Sequence, residues 1–186
     1  LRPYSLRHDK RIVAVTQHIA TPSYALQPVD CSIINCMNSG NIYASGFIGG
    51  IAGQHSTSSS LQYCYNTGYI EADSSIGNRN GYNQVGGILG SSGNVYDCYN
   101  LGDIRVTGPA YTYAGGISAL GNEVKNSYNR GNITVENTEN FVTVYGVGSA
   151  NSENCYNTGN IIVKANHGHI GGISGSSVKN HIIQGI

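Results

Sequence analysis

A seven-residue segment that recurs five times constrains the fold of this chain more than any other feature. Its clearest copy spans residues 98–104 and reads Cys-Tyr-Asn-Leu-Gly-Asp-Ile. The other copies begin at Cys36, Cys64, Ser127 and Cys155. A second signature, Gly-Gly-Ile, alternates with the first at residues 49–51, 86–88, 115–117 and 171–173, and 145–147 is a weaker copy.

The copies recur with a period of roughly 26 to 34 residues, which is typical of solenoids, propellers and arrays. One unit buries too little apolar surface to offset the entropy of ordering its own chain, so neighbouring units must stack. The sequence therefore predicts an all-β fold, a parallel β-helix or β-solenoid, whose coil we expect to be right-handed. We expect about five rungs of roughly 28 residues with three short strands each.

Alternation within one unit assigns its residues to faces. The third strand contains Ile104-Arg105-Val106 or its equivalent, so the flanking aliphatic residues point inward and the middle residue points outward. The first two strands are expected at 115–119 and 124–128. The Asn-x-Gly sequence between the second and third strands predicts a turn, with glycine at positive φ. Segments 73–84, 107–112 and 136–141 vary in length and are expected to be loops at one edge.

The cysteine content follows the repeat. Four of the five cysteines occupy the first position of the segment, where the remaining copy has Ser127. Stacked cysteines would have parallel Cα–Cβ vectors, which does not suit a disulfide, so these side chains are expected to be small core residues without bridges. A bridge between Cys31 and Cys36 stays open.

The repeats divide the chain into two parts. Residues 1–30 match no repeat and are expected to be an N-terminal cap or the tail of a preceding domain. Residues 31–186 are expected to form the solenoid. Because 178–181 aligns with 124–127, the chain is expected to begin a sixth rung that stays incomplete.

Charge and hydropathy exclude several partner classes. The formal net charge is zero and only 11% of residues are charged, which argues against nucleic-acid binding. No apolar run reaches the roughly 18 to 20 residues that a membrane-spanning helix needs, so no membrane insertion is expected.

The paired signatures at 86–90 and 98–104 resemble the GLUG repeat of bacterial secreted and cell-surface proteins. The resemblance covers about residues 31–186, with departures at Ser127, Met37 and 145–147. It implies an extracellular or cell-surface location and the context of adhesins and of non-catalytic regions of immunoglobulin A peptidases. The peptidases carry their zinc motif outside the repeats, and this chain contains no His-Glu-x-x-His string.

Alternation around the buried cysteine position places a row of tyrosines on one outer face: Tyr65, Tyr99, Tyr128 and Tyr156. Aromatic rows bind sugars and partner proteins, so this row is the candidate ligand or partner face. The alternative is a self-stacking row that stiffens the sheet or lies under the N-terminal segment. Expected partners are a host protein or glycan, or other copies of this chain.

The sequence shows no catalytic constellation, so the chain is not expected to be an enzyme or to need a cofactor. His167 and His169 supply two ligands where zinc sites use three or four. The leading hypothesis is a non-catalytic extracellular repeat module of a larger bacterial surface protein, acting as a rigid spacer or adhesive scaffold. One alternative is a self-associating filament subunit. The other is a glycan-active β-helix enzyme that uses two of the scattered carboxylates, which are Asp73, Asp97, Asp103, Glu123 and Glu153.

Overall fold

The computed structural model describes residues 32–75, 81–148 and 151–175, and the strand backbone at 178–179 and 182–183. This part of the chain contains only strands and turns, with no helix. Each paired strand runs parallel to its equivalent in the turn before or after. The predicted β-solenoid of about five turns is therefore confirmed. The expected cap at 1–30 lies outside the described residues and stays a prediction. Cys31 lies outside them too, so the question of a Cys31–Cys36 bridge stays open.

The strands are short and follow one another in a fixed order around each turn. The first turn contains β1 (Ser32–Ile34), β2 (Met37–Asn38), β3 (Ile42–Ala44), β4 (Phe47–Gly49) and β5 (Ala52–Gln54). The second contains β6 (Ser60–Gln62), β7 (Tyr65–Asn66), β8 (Ile70–Asp73), β9 (Tyr82–Gly86) and β10 (Leu89–Ser91). The third contains β11 (Asn94–Tyr96), β12 (Tyr99–Asn100), β13 (Ile104–Thr107), β14 (Tyr111–Gly115) and β15 (Ser118–Leu120).

The later turns keep this order with fewer strands described. The fourth contains β16 (Glu123–Lys125), β17 (Tyr128–Asn129), β18 (Ile133–Asn137) and β19 (Val142–Tyr145). The fifth contains β20 (Asn151–Glu153), β21 (Tyr156–Asn157), β22 (Ile161–Ala165) and β23 (Gly168–Gly171). Strands β24 (Val178–Lys179) and β25 (Ile182–Ile183) pair with β20 and β21, so the backbone begins a sixth turn as the sequence alignment predicts.

Equivalent strands stack into five parallel sheets, which we number one to five in the order in which each turn visits them. The sheets are β1-β6-β11-β16-β20-β24, β2-β7-β12-β17-β21-β25, β3-β8-β13-β18-β22, β4-β9-β14-β19-β23 and β5-β10-β15.

The first three turns thus have five strands each and not the three expected, because two of the predicted strands are broken by bends. The first breaks after Gly115, giving β14 and β15. The second breaks at Asn126, whose φ of 49° is left-handed and ends any regular strand. The predicted loops are also shorter than expected, because Tyr111 and Thr112 belong to β14 and Glu136 belongs to β18.

The interior consists of two apolar clusters. One joins inward residues of sheets three and four, including the Ile70, Ile104 and Ile133 column. The other joins sheets one and five with the cysteine corner, including Leu61, Val95 and Val124. The inward and outward alternation predicted for the third strand is confirmed, since Ile104 and Val106 are buried and Arg105 lies outside.

A column of buried asparagines separates the two clusters, and we call it the asparagine ladder. In the first four members the carboxamide nitrogen donates to the carboxamide oxygen of the next turn, at distances of 2.7 to 2.8 Å. The same nitrogen also donates to the carbonyl two residues later, at 2.7 to 2.9 Å. The buried amides are therefore hydrogen-bonded, as buried polar groups must be. Its members are Asn38, Asn66, Asn100, Asn129 and Asn157.

Close packing requires most glycines of both signatures, although Gly40 in the first turn has room for a Cβ. A Cβ on Gly102 would lie 1.9 Å from the carbonyl oxygen of Gly68 in the preceding turn. A Cβ on Gly87 would lie 2.4 Å from the side-chain Cγ of Asn100, because the Gly-Gly bend touches the asparagine ladder across the interior. The expected positive φ at Asn-x-Gly is wrong: among the described glycines, φ is positive at Gly46, Gly81, Gly93 and Gly108.

Candidate functional site: the tyrosine ladder

The outward tyrosine row lies on sheet two, where each strand is only two residues long. Tyr65, Tyr99, Tyr128 and Tyr156 pair in register through β7, β12, β17 and β21, and we call them the tyrosine ladder. Asparagine follows tyrosine in each strand and points inward, so the side chain before it must point outward.

A left-handed corner before each strand fixes this orientation. The residue two positions before the tyrosine has φ between 49° and 56° in every turn. Asn and Asp adopt this region more readily than other non-glycine residues, and four of the five corner residues are of these types. They are Asn35, Tyr63, Asp97, Asn126 and Asn154.

The cysteine between the corner and the tyrosine does more than fill space. The backbone N–H of Cys64 donates to the Cys98 sulfur at 3.3 Å, and the Cys98 thiol donates to the Tyr96 carbonyl at 3.1 Å. Ser127 makes the same two contacts, with the Cys98 N–H at 3.0 Å and the Lys125 carbonyl at 2.7 Å. The interchange of Cys and Ser at this position was the sequence signal for a hydrogen-bonding role.

Two of the buried thiols, those of Cys98 and Cys155, are poorly placed for reaction. The Cys64 thiol differs, because its contact with the Cys98 side chain lowers its pKa. Contact with the Cys64 thiol, together with burial, raises the pKa of Cys98 above its ordinary value. Burial likewise raises the pKa of Cys155. Thiolate is the nucleophilic form, so neither side chain has the character of a catalytic cysteine.

The rings of the tyrosine ladder stack face to face. Centroid separations are 4.8, 5.1 and 4.8 Å, with interplanar angles of 6°, 5° and 2°. The Tyr65 hydroxyl donates to the Met37 sulfur at 3.0 Å, which continues the column into the first turn. The faces of the interior rings are therefore occupied by neighbouring rings.

The ladder is partly exposed along its edge. Tyr156 is 36% exposed, and the other three rings are half-buried. Desolvation, followed by the neighbouring tyrosines, raises the pKa of Tyr99, and the same cause raises the pKa of Tyr128. A ligand would meet ring edges and hydroxyl groups here, because the flat faces contact each other. The ligand role of the ladder stays a prediction, and the stacking is observed.

Two sets of charged side chains outside the ladder form ion pairs across turns. Arg105 contacts Glu71 at 3.0 Å and Glu136 at 3.7 Å across three turns. Lys125 contacts Glu123 at 2.7 Å and Glu153 at 3.7 Å, and the Tyr96 hydroxyl donates to Glu123 at 2.8 Å. Lys125 holds the pKa of Glu123 below its ordinary range.

The remaining candidate carboxylates accept structural hydrogen bonds, Asp73 within its own loop and Asp97 and Asp103 from the following turn. Asp73 accepts from the Ser75 backbone at 2.9 Å. Asp97 accepts from Asn126 at 3.2 Å, and Asp103 accepts from the Asn132 backbone at 2.7 Å. Within 32–75, 81–148 and 151–175, no group of three His, Cys, Asp or Glu side chains could hold a metal ion.

A second aromatic row was missed in the sequence. Tyr82 and Tyr111 begin β9 and β14 and are each 44% exposed. Their ring centroids are 5.5 Å apart and their planes are inclined by 31°. The available signal was position, since each tyrosine lies four residues before the first glycine of Gly-Gly-Ile, directly after a loop of variable length.

Comparisons of the chain with protein-family models, curated proteins and solved structures found no match. In the part of the chain that the structure describes, no helix is long and apolar enough to cross a membrane.

Proposed function

We propose that this chain is a non-catalytic extracellular repeat module of a larger bacterial surface protein, acting as a stiff spacer that carries an adhesive surface. The observation that carries the spacer proposal is the continuity of two ladders across the turns. The asparagine ladder connects five turns by four side-chain hydrogen bonds, and the tyrosine ladder connects four turns by three ring stacks.

Continuous ladders resist bending for a simple reason. Tilting one turn against the next separates backbone hydrogen bonds, a buried amide pair and a ring pair together. Five turns at about 4.8 Å each give a stiff element about 24 Å long. The extracellular setting is supported by the resemblance to GLUG repeats. The non-catalytic role is supported by the hydrogen bonds and ion pairs that the candidate carboxylates make with residues of the same or the neighbouring turn.

Stiffness can be tested with spin-label amino acids placed at Tyr43 and Ile162, which are exposed and lie in one column of sheet three. They are four turns apart, which corresponds to about 19 Å between backbone positions. A stiff spacer gives one narrow distance distribution in pulsed electron spin resonance. A broad distribution would refute the spacer role.

Two further measurements address the rest of the proposal. An antibody against residues 32–175 should stain intact cells of the producing organism, and staining only after permeabilisation would contradict the extracellular setting. A spacer also stays monomeric, so a sedimentation coefficient that rises with concentration would favour the filament alternative instead. Release of new reducing ends from polysaccharides would favour the enzyme alternative.

A further inference from the structure

We propose that the tyrosine ladder is a site of oxidative modification, at which a one-electron oxidant joins the rings of adjacent turns as dityrosine. Oxidants of this class include photo-excited metal complexes with persulfate, and haem peroxidases with hydrogen peroxide. The modification goes beyond the proposed function, because it assigns a covalent reaction to the ladder and requires no ligand.

The ladder holds neighbouring phenol rings in equivalent positions. Backbone pairing places the four tyrosines in register on successive strands. Their centroids are 4.8 to 5.1 Å apart, and adjacent planes differ by no more than 6°. Rings that are parallel and in register bring the same carbon atoms of each ring beside one another. Each ring therefore has its reactive positions next to those of its neighbour.

Two other tyrosine pairs in the described residues are less well aligned. The rings of Tyr82 and Tyr111 are 5.5 Å apart and inclined by 31°. Those of Tyr43 and Tyr69 are 6.2 Å apart and inclined by 62°. We therefore expect coupling within one molecule to occur in the ladder in preference to these pairs.

Coupling consumes two electrons and releases two protons. The oxidant takes one electron from each of two neighbouring phenols, and each phenol loses its hydroxyl proton to water. The unpaired electron of each radical is shared by the oxygen and the ring carbons beside it. One such carbon of each ring forms the new C–C bond. The hydrogens on the two joined carbons then move to the oxygens through water, which restores both hydroxyl groups.

The reactive edge of each ring faces outward. The hydroxyl and the carbons beside it lie at the end of the side chain that is farthest from the backbone, and the ladder points away from the interior. The hydroxyl groups of Tyr99 and Tyr128 make no hydrogen bond with the described residues, so water takes their protons. The rings must turn from face-to-face to edge-to-edge contact to be joined, and the partly exposed edge allows this movement.

A bond between Tyr99 and Tyr128 would tie the third turn to the fourth. The segment 100–127 would become a closed loop in the unfolded chain as well as in the folded one. A cross-link of this kind lowers the entropy of the unfolded state, as a disulfide does. The modified solenoid should therefore unfold at a higher urea concentration than the unmodified one.

The test is photolysis of residues 1–186 in dilute solution with tris(bipyridyl)ruthenium(II) and persulfate, which accepts the two electrons and becomes two sulfate ions. The monomer is isolated by gel filtration, so that cross-links between molecules are removed. Trypsin then releases peptide 126–130, in which Tyr128 is the only tyrosine. We expect mass spectrometry to find this peptide joined to 80–105 through Tyr99 or to 131–164 through Tyr156. Absence of both joined peptides overturns the inference.

Two double variants form a matched pair. Tyr65→Phe with Tyr156→Phe leaves Tyr99 and Tyr128 on adjacent turns, and the cross-link between them should persist. Tyr99→Phe with Tyr156→Phe leaves Tyr65 and Tyr128 two turns apart, and the cross-link of peptide 126–130 should be lost. Each variant lacks two phenols, and phenylalanine keeps the rings available for stacking. Equal yields of cross-linked 126–130 in the two variants would overturn the inference.

Two further measurements connect the reaction to the fold. Photolysis above the urea transition should abolish the preference for neighbouring ladder tyrosines, and an unchanged pattern of cross-links would contradict the role of stacking. The cross-linked monomer should have a higher urea midpoint, and an unchanged midpoint would refute a bond between native turns. Thermal unfolding checks that each variant folds.

The outcome is separable from that of the spacer proposal. A narrow spin-label distribution without cross-linking removes the modification site and leaves the spacer intact. A broad distribution with cross-linking does the reverse.

Discussion

Replacing Asn100 with alanine should destabilise the fold by far more than an average polar substitution. The Asn100 carboxamide nitrogen donates to the Gly102 carbonyl at 2.8 Å and to the Asn129 oxygen at 2.8 Å. Its oxygen accepts from the Asn66 nitrogen at 2.8 Å. Asn100 is fully buried, so water cannot replace these partners.

The magnitude follows from these three hydrogen bonds. Each contributes about 1 kcal/mol net, which gives about 3 kcal/mol for the set. The Asn129 oxygen also loses its ladder donor, and a buried group left without a partner costs about 1 kcal/mol or more. We therefore expect a loss of about 3 to 5 kcal/mol, which is a large share of the roughly 5 to 15 kcal/mol typical of a domain.

Urea unfolding followed by circular dichroism measures this loss as a shift in midpoint. The matched control is Asn94→Ala, because Asn94 lies on the outer face of β11 and makes no side-chain hydrogen bond with the described residues. The control should stay within about 0.5 kcal/mol of the original. A loss below about 1 kcal/mol for Asn100→Ala would refute the role of the ladder.

Asn100→Asp sharpens the test by adding a pH dependence. A carboxylate there accepts from Asn66 but donates to neither Gly102 nor Asn129, and burial disfavours its charge, so its folded-state pKa is raised. The folded state then binds more protons than the unfolded state above about pH 4. The deficit should grow as pH rises from about 4 to 7, and a deficit independent of pH would contradict this reasoning.

Three other predictions follow from the structure. Gly102→Ala should lower the free energy of unfolding by about 3 kcal/mol or prevent folding, because its Cβ would clash with Gly68. Gly46→Ala should cost only about 1 kcal/mol, because Gly46 has open space around it and only its positive φ is unfavourable; equal losses in urea unfolding would contradict the steric explanation. Cys98→Ser should destabilise the fold by less than about 1.5 kcal/mol, whereas Cys98→Val should cost about 2 kcal/mol because it leaves the Cys64 N–H without its acceptor. Iodoacetamide should label Cys98 only at urea concentrations above the unfolding transition. Because the pKa values of Tyr99 and Tyr128 are raised in the folded state, the melting temperature should fall as pH rises above about 10. Tyr99→Phe should reduce this fall, and a melting temperature that stays constant up to about pH 11 would contradict the prediction.

The sequence predicted the solenoid because period and alternation are properties of the unit itself. Period-two alternation fixes the orientations of these side chains once one of them is known: the cysteine and the asparagine point inward and the tyrosine points outward. The expected stacking of equivalent side chains appears in the ladders, since parallel in-register strands put identical residues above each other.

The parts that were missed depend on contacts between turns. Gly102, for example, is required because the Gly68 carbonyl of the preceding turn leaves no space for a Cβ, and not because of its φ. The sequence around Gly102 gives no information about this contact between turns. The left-handed corners at Asn126 and its equivalents could have been recognised, because Asn or Asp precedes the core position in four of five copies. The ring contact between Tyr82 and Tyr111 joins two turns, so the position of each tyrosine before Gly-Gly-Ile indicates a row but not its packing.

The asparagine ladder also gives the molecule a direction. Every described side-chain bond in it runs the same way, with nitrogen donating toward the C-terminal neighbour and oxygen accepting from the N-terminal one. The aligned amides polarise one another along the axis. An added turn therefore extends the column only if its asparagine keeps this orientation, because a reversed amide would oppose oxygen to oxygen or nitrogen to nitrogen. Polarity of this kind lets a chain be lengthened by whole turns without a new interface.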